Sequence, residues 1–155
     1  MTSETLRLSE LAKAMRGSTL KRFALVPAGR ENWKPAEQAL SFADIAQHLA
    51  DADEWLFAKL RNPQLMGIRA VAGTAVVPDR AAYLAILERL RATGERRCEI
   101  ISGLTNAALD AMVFDDRFGG QVSVWWVIVR GNLEHEAQHR GQAASYLRGI
   151  GALCA

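Results

Sequence analysis

The residues of this chain best suited to chemistry are its three histidines. Two of them, His135 and His139, lie four residues apart in the stretch NLEHEAQHRGQAASYLR, Asn132 to Arg148, whose composition is helical. Four residues on a helix rise about 6 Å along one face. At that separation two imidazoles can grip one metal ion, each through a nitrogen about 2.0–2.1 Å from it. The third, His48, falls in FADIAQHLADADEWL, which also reads as a helix. If the two helices pack, three imidazoles converge, and a metal centre with His48, His135 and His139 as ligands is the expectation. Three neutral ligands leave at least one coordination position open, as in catalytic rather than closed structural sites.

Two rival metal chemistries fit less well. HEAQH matches the HExxH signature of zinc metalloproteases, in which the glutamate is the general base. The third ligand of that class lies downstream, yet Ser145 stands where a metzincin has histidine, and no Asp, Glu or His follows His139. A di-iron carboxylate bundle needs paired Glu-x-x-His motifs; only His139, with Glu136 three before it, has one.

Neighbouring residues take secondary roles. Asp44, one turn before His48, either accepts the second N–H of that imidazole or completes a helix N-terminus behind Ser41. Glu136 is rotated about 100° from His135, so it either reaches the open coordination position or pairs with an arginine. Arg140 is expected in a structural ion pair, Gln142 in a helix contact, Gly141 at a close helix approach and Tyr146 along the metal face. Trp125 and Trp126 read as core or interface residues.

Four helical patterns position these groups. The first spans residues 4–26, with Leu8, Leu11, Ala12, Met15, Thr19 and Phe23 on one face, and ends at Pro27 and Gly29. The second follows the N-cap Ser41 and turns Phe42, Ile45, Leu49, Ala52, Leu56 and Leu60 inward, ending before Pro63. The third starts behind Asp79, carries Tyr83, Leu87, Leu90, Gly94, Cys98 and Ile101 on one side, and closes at Gly103. The last runs from about Val122 to Arg148; its start, VSVWWVIV, is apolar almost all round, and helix is preferred there because no partner strand is evident. Residues 105–112 read as one short turn of helix and 115–120 as a surface loop. The fold class is therefore all-α: one four-helix bundle over residues 1–155, with a crossover connection because the links at 27–40 and 62–78 are long.

Composition excludes other classes. The chain has 155 residues and a formal charge of +2, with its basic residues scattered, so no nucleic-acid partner is expected. The longest apolar run, Val124 to Val129, is far shorter than the roughly 20 residues of a membrane span, and MTSETLRLSE has no signal-peptide core. A soluble, cytoplasmic protein is expected. Cys98 and Cys154 have no metal-ligand spacing and no expected disulfide.

SFADIAQHLADADEW paired with NLEHEAQHRGQAASYLRGIG, together with Trp33-Lys34-Pro35 ahead of the second helix, resembles the DinB/YfiT-like superfamily of metal-dependent enzymes. The resemblance covers nearly the whole chain. It implies an up-down-down-up four-helix bundle, often a homodimer, with His48, His135 and His139 holding a divalent metal; the imidazole ligands themselves suit zinc or nickel first and iron next. The implied chemistry is transfer of a low-molecular-weight thiol or hydrolysis of a small-molecule substrate. The competing function is a non-catalytic bundle that binds a metal or small ligand. No catalytic residue beyond the ligands carries over, and the dimer is expected on the apolar start of the last helix.

Overall fold

Capping residues set the helix boundaries. In the computed structural model, which describes residues 3–154, α1 (Glu4–Ala24) starts where the Ser3 side chain accepts from the Leu6 N–H. Helix α2 (Phe42–Arg61) opens on a full capping box: Ser41 accepts from the Asp44 N–H at 3.0 Å, and Asp44 accepts from the Ser41 N–H at 3.0 Å. Asp79 caps α3 (Arg80–Ser102), which stops at Gly103. The short α4 (Asn106–Asp110) follows the N-cap Thr105.

The all-α expectation needs one correction. Strands β1 (Met112–Asp115) and β2 (Gly120–Ser123) form an antiparallel hairpin, with Met112 opposite Ser123. The chain reverses over Asp116–Phe118, and Gly119 at φ 76 supplies the left-handed residue the turn requires. Val122 and Ser123 therefore do have a partner strand, four residues long and just upstream of the turn. The last helix begins at Val124 instead, with the Ser123 side chain accepting from the Trp126 N–H. Asp115, expected in a surface loop, is buried.

The final helical run has three parts: α5 (Val124–Trp126), a π-helical segment (Val127–Leu133) and α6 (Glu134–Gly149). Within it the Glu134 N–H reaches the Val129 carbonyl, five residues back rather than four.

The molecule is mostly helical. Helix α1 packs on α3 and α6, while α2 packs on α3, on the π-helical segment and on α6. Contacts fix the sense of each pair. Ser9 bonds the Cys98 carbonyl, Arg16 the Leu90 carbonyl and Tyr83 the Phe23 carbonyl, so α3 descends as α1 ascends. Phe42 meets Tyr146, His48 meets His135, and Asn132 approaches the Ala52 carbonyl, so α2 and the last run are also opposed.

Two apolar clusters fill the interior. One holds Phe23, Phe42, Ile45, Leu49, Tyr83, Leu90 and Leu147; the other holds Leu8, Leu56, Ile101, Leu109, Val113, Val127, Ile128 and Leu133. On each long helix a buried charged residue separates the two: Arg16 on α1, Asp53 on α2, Arg97 on α3 and Glu136 on α6. The inward faces read from the sequence hold except at Leu11, which is 49% exposed, and at half-buried Met15, Leu60, Leu87 and Cys98. Both cysteines are free. No described helix is long and apolar enough to cross a membrane.

The 62–79 connection is tied down by Lys59. Its buried ammonium donates to the carbonyls of Pro63 (2.8 Å), Leu65 (2.7 Å) and Phe114, holding the connection against β1.

Candidate metal centre

Helices α2 and α6 carry the three histidines to one point. His48 follows Ile45 by one turn on the inward face of α2, while His135 and His139 occupy successive turns of α6. Nε2 of His135 lies 3.0 Å from Nε2 of His48 and 3.1 Å from Nε2 of His139. The rings stand nearly perpendicular to one another, at 78° to 83°. Two ligands of a tetrahedral ion with arms of 2.0–2.1 Å are about 3.3 Å apart, so these separations match a shared ion closely. The three ligand atoms all lie within 4.8 Å of one another and can hold a metal ion.

The protonation states suit the same purpose. Burial lowers the His48 pKa to about 4, helped by the neighbouring His139 and opposed by Asp51. Burial likewise takes His135 down to about 3, with His139, His48 and Arg117 adding to the effect. His139 is lowered too, by burial, against a bond from Gln142 that works the other way. At neutral pH all three rings are neutral, the form that binds metal.

Gln142 defines the tautomer of His139. Its Oε1 sits 2.9 Å from His139 Nδ1, and its Nε2 donates to the Tyr146 hydroxyl at 2.8 Å. An amide oxygen only accepts, so Nδ1 of His139 carries the proton and Nε2 presents its lone pair to the cluster. Tyr146 in turn packs edge-on against Trp33 and Phe42. The helix-contact role expected for Gln142 is thus replaced by a link from His139 to an aromatic cluster.

Other expected neighbours go elsewhere. The Asp44 carboxylate accepts from the N–H groups of Ser41, Gly73 and Ala75, at 3.0, 2.9 and 2.9 Å. It orients the 73–75 turn, with no bond to His48 among the described residues. A Cβ on Gly141 would meet nothing within 4 Å, so this glycine marks no close approach. Arg140 makes no ion pair among the described residues. Trp126 instead packs edge-on against Phe118 and beneath the Arg130 guanidinium.

Glu136, of the two roles left open for it, takes the arginine. It forms a bidentate pair with Arg16, both contacts 2.9 Å, and accepts from Arg97 at 2.6 Å. Asp53 completes the network, 2.8 Å from Arg16 and 3.1 Å from Arg97, with Thr93 donating to it at 2.7 Å. Asn132 accepts from Arg97 at 3.0 Å. Despite burial, these bonds lower the Glu136 pKa to about 2. Two buried cations face two buried anions, so the network is neutral overall. Gly94 makes room for it, since a Cβ there would stand 2.6–2.7 Å from Arg16. Sequence reasoning missed the network, although Arg16, Asp53 and Arg97 lie four residues after Ala12, four after Leu49 and seven after Leu90, on the apolar stripes.

A cavity of about 170 Å³ adjoins His48. His48 lines it together with Gln47, Asp51, Arg69 and Thr74, the last two from the 62–79 connection.

Comparison with known proteins places this architecture. A family model described as the DinB superfamily matches residues 11–143. No curated protein matches. Among solved structures, the crystal structure of a DinB-like protein, YjoA, from Bacillus subtilis is similar with a TM-score of 0.69 at 19% identity, covering 94% of this chain and 92% of that one.

Proposed function

This chain belongs to the DinB superfamily, and from that premise we propose that His48, His135 and His139 hold a divalent metal ion at a catalytic centre. The observation that carries the reading is the convergence of three neutral imidazole nitrogens from two helices. When bound, zinc, nickel or iron would supply Lewis acidity, lowering the pKa of a water or thiol brought to it. The reactions that follow are hydrolysis of a small molecule or transfer of a low-molecular-weight thiol.

The chain's own residues support an open site. Glu136, the nearest candidate for a fourth ligand, is held by two arginines, and Asp44 is held by three backbone N–H groups. A catalytic role is therefore favoured over a closed metal-storing site. Gln142 keeps the lone pair of His139 directed at the ion, and the 62–79 connection shapes the space beside His48.

The finer architecture belongs to the same proposal: one domain, a four-helix bundle running up-down-down-up with a crossover, supported by the opposed pairs α1–α3 and α2–α6. Self-association into a homodimer through the apolar start of the last run is tested by sedimentation across a concentration range; a monomeric mass throughout removes it.

Elemental analysis of the purified protein beside His48→Ala and His139→Ala variants tests the centre. About one zinc, nickel or iron per chain is expected in the wild type, lost in both variants. A wild type that arrives without metal and takes none up on titration overturns the reading.

A further inference from the structure

Resting on that metal reading, we propose that the ligand taken at this centre carries an anionic group, a carboxylate in the first instance, which is seated on Arg69 in the cavity beside His48.

Charge bookkeeping around the site leads to this ligand class. Three neutral imidazoles do nothing to cancel a dication. The carboxylates within reach are bonded elsewhere: Glu136 to Arg16 and Arg97, Asp44 to the backbone of 73–75, and Asp51 to Arg89 at 2.7 Å, a guanidinium it shares with Glu54. None of them is a ligand, so the ligand set itself leaves the ion's positive charge uncancelled. Arg69 adds to it, because its exposed side chain makes no ion pair with an Asp or Glu among the described residues, yet it lines the same cavity as His48. Guanidinium is the donor group best matched to a carboxylate, through two parallel N–H bonds. The rest of the polar wall is Gln47 and Thr74, which offer hydrogen-bonding groups, and Asp51, which is bonded to Arg89.

Size narrows the class. About 170 Å³ is well under the roughly 300 Å³ at which drug-sized pockets begin. A short ligand fits: one end at the metal, a few carbons, and a carboxylate at Arg69. Lys59 holds the start of the 62–79 connection through Pro63 and Leu65, and Asp44 holds its far part through Gly73 and Ala75, so Arg69 stands on a segment anchored at both ends.

The test uses cobalt-loaded protein, whose visible absorption reports ligands reaching the metal without any turnover. Mercaptoacetate and 2-mercaptoethanol share a thiol and differ in the carboxylate. Mercaptoacetate is expected to bind about fivefold more tightly than the neutral thiol, the upper end for a solvent-exposed ion pair. Arg69→Gln removes that preference and leaves 2-mercaptoethanol binding unchanged. Arg91→Gln, which deletes an equal charge on α3 outside the cavity lining, keeps it. Equal affinities for the two thiols, a preference that survives Arg69→Gln, or no thiol response at all from the loaded protein overturns the anionic-ligand inference alone. Failure to take up cobalt overturns the metal reading beneath it.

Discussion

His135 and Glu136 are consecutive residues on one helix, and they belong to two opposite kinds of polar interior. Glu136 enters a network in which every charge meets its counter-charge: two arginines and two carboxylates, with Thr93 and Asn132 adding bonds and Arg97 Nε left without a partner. His135 enters a cluster with no ion pair, three imidazole nitrogens within 4.8 Å of one another. A closed network stabilises one arrangement of four helices. An open cluster is stable only because its members are neutral, and it stays ready for a cation. Polar groups inside a bundle are thus structural when their charges cancel and receptive when they do not.

Removing one half of the closed network should have the largest effect. Glu136→Ala leaves Arg16 and Arg97 buried with one carboxylate between them, and should cost about 3–5 kcal/mol in denaturant unfolding. If the loss is under about 1 kcal/mol, the network is not the rigid frame described.

The open cluster should respond to metal instead. Zinc or nickel at a free concentration 100 times its Kd should raise unfolding stability by about 2.7 kcal/mol. His139→Ala should abolish that increment, with little loss in the metal-free protein. Gln142→Leu should leave the metal-free fold intact and weaken metal binding by about tenfold, the low end for a group that orients a ligand. Equal affinity in Gln142→Leu would show that the bond to His139 does not hold its tautomer.

The smallest effect near neutral pH separates the two regions by acid. The folded-state pKa values of His48 and His135 lie below their ordinary 6.5, at about 4 and about 3. Their contribution is therefore fully present above pH 6.5 and, in the metal-free protein, lost as pH falls toward 4 for His48 and toward 3 for His135. Glu136, lowered from 4.5 to about 2, keeps its contribution until pH falls below about 4.5. Stability measured against pH should decline in two stages, and His48→Ala should flatten only the first.

The sequence exposed the open cluster far better than the closed network. Three histidines with two at helical spacing form a rare pattern that points to one chemistry, and the caps Ser41, Asp79 and Gly103 mark helix ends by local bonds alone. The network is assembled from four helices, and no local spacing ties Arg16 to Glu136 or Asp53 to Arg97. A charge in an apolar stripe was the available signal, and its partner lay on another element. The hairpin escaped for a related reason: MVFD is four residues long, and its identity as a strand depends on pairing across a glycine turn. Asp44 was legible as a cap because Ser41 is three residues away. Its bonds to Gly73 and Ala75 depend on a long connection folding back.

The π-helical segment at Val127–Leu133 gives the last run two phases. Each of its bonds encloses one residue more than an α-helical bond, and one residue taken up without an extra turn shifts everything beyond it by about 100°. The apolar start, around Val124, Val127 and Ile128, can thus address the cluster under the hairpin, while the part from Glu134 onward addresses α2 and α1 on its own bearing. Deleting a single residue within 127–133 would permit an unbroken α-helix and remove that offset. It would swing the histidines away from His48, or the hydrophobic start away from its seat, without altering any side chain that does chemistry. In a chain of this kind a one-residue change in length is a rotation, and the extra residue works as the setting that aims the site.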